Sequence, residues 1–254
     1  MNAGFVRHAR PWVVTIILLA GWELACRAFK VPSFVLPPPS EIAGVFFEYS
    51  DTLLLHSTQT LLTTLIGFAI AIVVGLFLGV AIGSSRAIYD SLYPILVGFN
   101  AVPKVALVPL VVIWCGIGTV PAIITAFVIS FFPIVVNVAT GLAGVEPEMQ
   151  DVLRVLGASR YEVLSKVGLP RSLPYLFASL KVAITLAFIG SVVSETVAAN
   201  QGIGYLMLAA SSRFQVAVVF AGLFIVAAMS IVLYAICVVL ERRMAGWASR
   251  GQLA

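Results

Sequence analysis

Charged residues are scarce in this sequence. Of its 254 residues, 10% are charged and 61% are hydrophobic, whereas soluble domains carry about 25% charged residues. A soluble chain of this length would need far more polar surface around its core. The shortage of charge therefore predicts an integral membrane protein.

Residues that build metal and redox sites are also few. The chain has three cysteines and two histidines, and no CxxC or Cys/His cluster gives them the spacing of a zinc or redox motif. Cys26, Cys115 and Cys237 each lie in or beside an apolar run, as small packing residues do. His8 and His56 are isolated, and we predict them in terminal or loop segments. We expect no metal site.

Motifs for catalysis and nucleotide binding are absent as well. The sequence contains no GxxxxGK[ST] loop to hold nucleotide phosphates and no HExxH motif. No Ser/His pair or aspartate pair falls at membrane depth, as an intramembrane enzyme would need. The sequence therefore predicts a chain with no catalytic residue and no cofactor of its own.

Long apolar runs are what the sequence does have. A membrane helix needs about 20 apolar residues, and these runs are too long for the strands of a barrel. No cleavage site follows the first run, which we interpret as an uncleaved helix. The sequence predicts an all-α membrane protein with one transmembrane domain over residues 1–254. Its six predicted spans are 11–29, 60–83, 92–115, 119–140, 175–198 and 216–240.

Lysine and arginine are distributed unevenly between the two sides of these spans. Six spans place both termini on one side, together with the loop between spans four and five. Eleven positive residues fall on that side: Arg7, Arg10, Arg86, Arg154, Arg160, Lys166, Arg171, Lys181, Arg242, Arg243 and Arg250. The other side has Arg27, Lys30 and Arg213, and Lys104 lies inside a span. Because cytoplasmic loops are enriched in positive charge, both termini are predicted to be cytoplasmic.

Glycine and proline modify the predicted spans. Gly67, Gly75, Gly79 and Gly83 recur at multiples of four residues on the second span, which permits close approach of another helix. Five prolines lie within or beside spans three and four, at 94, 103, 109, 121 and 133. Proline kinks a helix. Kinked helices occur both around cavities or moving parts and in static bundles, and we favour the functional interpretation.

A compact charged stretch, EPEMQDVLRVLGASRYEVLSKVGLP, occupies residues 146–170. Gly157 fits the end of a first short helix, because a left-handed closing residue is easiest for glycine. Ser159 and Glu162 then match a capping box that begins a second helix. Pro170 and Pro174 are predicted to separate this helix from the fifth span. The apolar stripe of the two helices is Met149, Val152, Leu153, Leu156, Tyr161, Leu164 and Val167.

Two interpretations of this helix pair remain open. It either docks in a groove on another protein or lies as an amphipathic loop on the membrane surface. Arg154, Arg160 and Glu162 either pair with charges on a partner or are solvated.

The same stretch resembles the coupling loop of the permeases of binding-protein-dependent ABC importers. The family pattern is E-A-A, three residues, glycine, nine residues and I-x-L-P. This chain has Gly157, nine residues and Val167-Gly168-Leu169-Pro170, while Asp151-Val152-Leu153 keeps only the acidic character of E-A-A. The stretches LPPPSE, VPKVALVPLVVIWCG and SE followed by QGIGYLM resemble the nitrate, sulfonate and taurine branch. The resemblance covers nearly the whole chain.

The resemblance implies that separate chains form the pathway, hydrolyse ATP and deliver the solute. Two permease copies, a homodimer in this branch, form the pathway in the lipid of the bacterial inner membrane. Two ATPase subunits, which bind ATP and magnesium, dock beneath them, and an extracytoplasmic binding protein delivers the solute; no nucleic acid takes part. The docking element is the loop 146–171, hereafter the coupling loop. Its implied docking residues are Glu148, Met149, Asp151, Leu153, Arg154, Gly157, Ala158, Ser159, Arg160, Tyr161, Glu162, Leu169 and Pro170.

Four polar residues in the spans are candidates for the solute pathway. Ionisable side chains inside spans are costly and usually face a cavity or a partner. Lys104 either attracts an anion, as sulfonate-like cargo would need, or snorkels or forms an ion pair. Glu195 lies near the outer end of span five. Asn100 and Asn137 either line the interior or hydrogen-bond between helices. The expected cargo is a small anionic or organic solute.

The segment 198–215 is predicted to form an outer loop with a short helix, which either meets the binding protein or gates the exit. The alternative function is an autonomous secondary transporter or channel. Secondary transporters commonly show inverted repeats with matched broken helices. The sequence shows no such internal symmetry, and an autonomous transporter would leave the coupling loop unexplained.

Overall fold

The structure, a computed structural model, describes residues 3–145 and 147–246, and every regular element in these ranges is helical. A 3₁₀ turn (Lys104–Leu107) precedes α5, and a π-helical turn (Leu164–Gly168) joins α8 to α9. The predicted all-α membrane fold is confirmed. The helices are α1 Ala3–Ala28, α2 Pro39–Glu48, α3 Ser50–Gly83, α4 Arg86–Ala101, α5 Val108–Cys115, α6 Thr119–Ala143, α7 Pro147–Val155, α8 Arg160–Val163, α9 Leu169–Ala198, α10 Ile203–Ser212 and α11 Val216–Met244.

Four continuous helical stretches are long and apolar enough to cross a membrane. They are α3, α6, α11 and the 38-residue stretch Tyr161–Ala198, which contains α9. A fifth crossing is the pair formed by α4 and Lys104–Cys115, which is bent by 73°. The count of six spans, with α1 as the sixth, stays a prediction.

The core of the bundle is a tight contact between α3 and α6. All four predicted glycines of α3 face α6, as the small-residue spacing predicted. Because the partner residues advance along α6 as the glycines advance along α3, the two helices are parallel. An ideal Cβ would lie 2.7 Å from the Ala126 Cβ at Gly67, 2.8 Å from the Ile134 Cβ at Gly75 and 2.7 Å from the Val138 Cβ at Gly79.

Helix α9 completes a three-helix core. It runs antiparallel to α6, because Gly190 lies on Thr125 near the start of α6 and Gly168 lies on Leu142 near its end. Ile184 and Phe188 of α9 are almost completely buried. Helix α11 packs on the outside of α9, where Lys181 and Glu241 form an ion pair at 2.8 Å.

The bent pair returns the chain across the bundle. Since α3 and α6 are parallel, α4 and α5 together must traverse its depth. Pro103, which has no N–H to donate, follows Val102 in an extended conformation and breaks the helix. The Lys104 ammonium lies 5.1 Å from the centre of the Phe132 ring, about midway along α6. The break is therefore at mid-depth.

The two ends of the bundle carry different elements. At one end the coupling loop emerges between α6 and α9. At the other end, hereafter the α10 end, the N–H of Gly118, just before α6, donates to the carbonyl of Ala198, the last residue of α9, at 2.9 Å. Apolar side chains from α2, α3, α10 and α11 pack together there. The predicted short helix in segment 198–215 is confirmed as α10.

Two local predictions are wrong. The second span begins at Ser50, so His56 is buried within α3 rather than placed in a loop. Pro170 and Pro174 do not separate the coupling loop from the fifth span, because α9 begins at Leu169. Pro170 directly follows the π-helical turn Leu164–Gly168 and Pro174 lies inside α9, so each removes one backbone donor without ending the helical stretch.

The packing of α3 on α6 gives a direct test. Gly75→Ala would place a methyl group 2.8 Å from the Ile134 Cβ, and we expect overpacking to lower the free energy of unfolding by about 1–3 kcal/mol. Gly98→Ala is the matched control, because nothing lies within 4 Å of its ideal Cβ. It should leave stability unchanged or raise it by up to about 1 kcal/mol. SDS titration in mixed micelles measures both; equal effects would contradict the glycine contact.

Candidate functional site: coupling loop, broken span and buried carboxylate

A glycine corner follows α7 in the coupling loop. Gly157 has a φ of +86°, in the left-handed region where glycine has no side-chain penalty. Ala158 N–H donates to the Leu153 carbonyl at 3.0 Å, the six-residue bond of a Schellman motif. This bond satisfies a carbonyl at the end of α7 and fixes the direction in which the chain leaves it.

The predicted capping box starts the second helix. Ser159 N–H donates to the Glu162 carboxylate at 2.9 Å, and Glu162 N–H donates to the Ser159 hydroxyl at 3.3 Å. Lys166 lies 3.5 Å from the same carboxylate. The prediction of helix, glycine corner and helix is therefore confirmed. Because both helix ends are capped, the two helices have a defined relative direction.

The coupling loop exposes large apolar side chains. Val155 is 87% exposed, Leu156 77% and Tyr161 76%, while Leu153 is partly buried. Helix α7 packs mainly against α8 rather than against the core. The apolar surface of this helix pair is thus left uncovered. Sequence reasoning missed Val155, because it falls outside the periodic stripe that begins at Met149.

The remaining predicted docking residues have mixed exposure. Glu148, Met149, Asp151, Gly157, Ser159 and Leu169 are exposed, and Ala158, Glu162 and Pro170 are partly buried. The side chains of Arg154 and Arg160 lie outside the part of the chain that the structure describes. The docking role of all these residues stays a prediction.

The structure brings Lys104 and Asn100 together at the break between α4 and α5. The Lys104 ammonium donates to the Asn100 carbonyl at 3.2 Å and to its side-chain oxygen at 2.9 Å. Asn100 is in the last turn of α4, where a cation interacts favourably with the free carbonyls. The ammonium therefore has a structural partner, and it is still partly exposed on the side away from Phe132.

The Asn137 side chain bonds within its own helix. Its amide nitrogen donates to the Pro133 carbonyl one turn earlier at 2.8 Å. This bond gives the Pro133 carbonyl a side-chain partner within α6. The structure does not bring Asn137 to Lys104, and its role in the pathway stays a prediction.

The Glu195 carboxylate is buried at the α10 end, with only 2% of the residue exposed. Four donors lie within hydrogen-bonding distance of its oxygens: the hydroxyls of Thr60 at 2.8 Å, Thr63 at 3.2 Å and Ser191 at 3.3 Å, and Gly204 N–H at 3.1 Å. Buried polar groups need hydrogen-bond partners of this kind. In this arrangement Glu195 binds protein groups rather than facing an open cavity, and its predicted pathway role is untested.

The loop before α10 is held by the same group of residues. Ile203 N–H donates to the Thr60 hydroxyl at 2.7 Å, and Gly202 N–H donates to the His56 ring at 3.0 Å. Gly202 has a φ of +110°, and an ideal Cβ there would lie 2.3 Å from the Glu195 carboxyl carbon. We call this arrangement the Glu195 clamp. It consists of the side chains of His56, Thr60, Thr63, Ser191 and Glu195 and the backbone of 202–204.

Sequence reasoning singled out Glu195 but missed its partners. A signal was present, because Thr60 and Thr63 are three residues apart on α3, and Ser191 and Glu195 are four apart on α9. Such spacings place both members of a pair on one helix face. What the sequence could not show is that these two faces meet.

The sequence of this chain matches a family model and several proteins of named function. Residues 71–246 match the family model described as "Binding-protein-dependent transport system inner membrane component". The riboflavin transport system permease protein RibX of Chloroflexus aurantiacus is 32% identical over 237 residues, which cover 92% of this chain and 88% of that protein. The taurine transport system permease protein TauC of Escherichia coli K12 is 30% identical over 241 residues, covering 92% and 87%.

A solved structure shares the fold. An inward-facing conformation of the MetNI methionine ABC transporter aligns with a TM-score of 0.51 and 22% identity, covering 70% of this chain and 92% of that one. The fold resembles a solved permease structure, and the family model matches most of the chain, so the two comparisons agree. This chain therefore belongs to the inner membrane components of binding-protein-dependent transport systems, and it is a permease subunit of an ABC importer.

Proposed function

We propose that separate ATP-hydrolysing subunits drive this permease by docking on the coupling loop. The observation that carries the proposal is the uncovered apolar surface of Val155, Leu156 and Tyr161 on two capped helices. An exposed apolar patch on an ordered element is typical of a protein interface. Because the sequence contains no phosphate-binding GxxxxGK[ST] loop, ATP and magnesium bind on the partner.

A protein partner fits the coupling loop better than a lipid surface does. Helices that lie on anionic membranes carry mostly lysine and arginine on their polar face. The coupling loop, in contrast, has as many acidic residues as basic ones, four of each in residues 146–171, and the acidic Glu148 and Asp151 of α7 are exposed. Anionic lipid headgroups repel such charges, whereas a protein groove can provide complementary ones.

The proposed orientation has the coupling loop and both termini in the cytoplasm of a bacterial cell. Arg86, Arg171, Arg242 and Arg243 belong to helices that begin or end at the coupling-loop end. This clustering supports a cytoplasmic position for that end. The α10 end then faces outward, where the extracytoplasmic binding protein delivers the solute.

A second copy of this chain is the proposed partner within the membrane. In the described chain, no α4 side chain is buried, and Phe99, Ile113 and Trp114 on the bent pair are largely exposed. A second bent pair against this face would enclose the helix break between two copies. The exposed side of Lys104 would then line the pathway.

The proposed solute is a small organic anion such as a sulfonate. Lys104 places an ammonium group at mid-depth beside a helix break, and broken helices present polar backbone groups to solutes in the membrane interior. The named solute of the TauC relative is a sulfonate. The named solute of RibX is riboflavin, so identity to relatives alone does not select the cargo, and the proposal depends on the Lys104 charge.

Docking on the coupling loop is tested by Gly157→Pro. Proline fixes φ near −65° and cannot adopt the observed +86°, so the corner between the two helices is lost. We expect recovery of the ATPase subunit in a pull-down to be abolished while the permease still reaches the membrane fraction. Gly157→Asn is the matched control, because asparagine tolerates the left-handed region. Unchanged ATPase recovery with Gly157→Pro would contradict docking at this loop.

The anion proposal is tested by Lys104→Met in proteoliposomes that contain the whole importer, with taurine, an alkanesulfonate and nitrate as solutes. Loss of a charged hydrogen bond costs about 1.5–3 kcal/mol, so we expect KM for the transported anion to rise roughly tenfold to a hundredfold. Lys104→Arg should keep most uptake. Lys30→Met, an equal charge change outside the spans, is the control. Uptake at the wild-type KM after Lys104→Met would refute the proposed role.

A further inference from the structure

One continuous helical stretch connects the two ends of the bundle. It runs from Tyr161 in the coupling loop to Ala198 at the α10 end. At 1.5 Å per residue, its 38 residues span roughly 57 Å. Glu195 lies one turn from the end of this stretch, so its carboxylate is on the same continuous helical stretch as the capped helix of the coupling loop, with the π-helical turn Leu164–Gly168 between them.

The Glu195 clamp fixes α10 to that element and to α3. The loop before α10 has little freedom in the clamp, because an added Cβ at Gly202 would overlap the Glu195 carboxylate and one at Gly204 would lie 2.3 Å from the Val192 carbonyl. Removing one partner of a buried polar group leaves the other unsatisfied. Movement of α10 relative to α9 would therefore break the direct bond from Gly204 N–H to Glu195 and disturb the link from Ile203 through the Thr60 hydroxyl to the same carboxyl group.

The other face of α10 is exposed, so a probe attached there can detect movement of the α9 end. Ile203 and Ala210 are buried, while Tyr205, Leu208 and Ser211 are exposed. A displacement of the α9 end would thus change the surroundings of exposed α10 side chains. Apolar packing permits α10 to shift slightly relative to α2 and α11, because it is not directional. The hydrogen bonds of the Glu195 clamp are directional and do not permit such a shift.

We infer that Glu195 is a positioning residue that makes α9 and α10 move as one unit, so that the nucleotide state of the ATPase subunits changes the outer surface of the permease. This inference rests on the proposed docking of the ATPases on the coupling loop. Two sites coupled in this way affect each other reciprocally, commonly by about 5- to 150-fold. The clamp residues touch neither solute nor nucleotide in this account.

Thr60→Val is the decisive variant. It keeps the branched shape but removes the hydroxyl that donates to Glu195 and accepts from Ile203 N–H. Thr64→Val is the matched control, because Thr64 lies one turn along the same helix, is equally buried, and its hydroxyl has no hydrogen-bond partner in the described chain. Thr60→Ser restores the hydroxyl and should restore the behaviour.

The readout is thiol labelling on α10. Ser211→Cys, in a Cys115→Ser background that removes the exposed native thiol, is reacted with a maleimide in nanodiscs that contain the permease and its ATPase subunits. We expect the labelling rate without nucleotide and with vanadate-trapped ATP–Mg to differ by about fivefold or more. The difference should fall below about twofold in Thr60→Val and persist in Thr64→Val and Thr60→Ser.

The outcomes separate this inference from the proposed function. Co-purification of the ATPase subunits is scored first, and its absence in the parent refutes docking on the coupling loop. If the ATPases are present and Thr60→Val keeps the full nucleotide-dependent difference, the clamp inference is overturned. Should Thr60→Val fail to assemble, Glu195→Gln replaces it. This variant keeps the side-chain shape but replaces one accepting oxygen by an NH2 group, which cannot accept the bonds from the surrounding donors. A full difference in that variant overturns the inference equally.

Discussion

The close contact between α3 and α6 is the constraint on which the rest of the bundle depends. Lipid gives apolar helices no hydrophobic reason to associate, so they are held by van der Waals packing and by hydrogen bonds between helices. Four glycines on α3 remove the side chains that would keep α6 away. Because the contact makes α3 and α6 parallel, it forces α4 and α5 to recross the bundle, and α9 fills the remaining side.

Glu195 and Lys104, the two ionisable residues in predicted spans that we singled out, are stabilised inside the bundle in different ways. Glu195 is surrounded by hydroxyl and backbone donors and is almost wholly buried. Lys104 lies at a helix break, satisfied by Asn100 on one side and open on the other. The first arrangement fixes neighbouring segments in place. The second leaves a charge that a solute can reach, which is why we assign the two residues different roles.

A transport cycle requires that a structural change at one end of the bundle alter the structure at the other end. The stretch Tyr161–Ala198 is continuously helical from the coupling loop to the α10 end and includes the π-helical turn Leu164–Gly168. Its first residues belong to a capped helix pair with an uncovered apolar surface, and its last turn carries the Glu195 clamp. The permease thus has a continuous helical connection between the proposed ATPase contact and its outer surface.

Local sequence signals predicted the helices and the coupling loop well, because their causes are local. Apolar runs, the glycine spacing on α3, the Gly157 corner and the Ser159–Glu162 capping box each depend on residues a few positions apart. Errors arose where packing overrode a local rule. Helix α3 extends through residues 50–59 because Leu53 and His56 on one of its faces are buried, and Pro170 is accommodated directly after a π-helical turn. The docking residues and the pathway residues are still predictions.

The sequence by itself determined that this chain is a helical membrane protein, that its coupling loop contains two short capped helices, and that it resembles importer permeases. Only the tertiary structure decided that His56, Thr60 and Glu195 meet around the backbone of 202–204, and that the Lys104 break lies at mid-depth. The physical reason is that periodicity and capping act within a few residues. The partners of a buried carboxyl group, in contrast, depend on how separate helices pack.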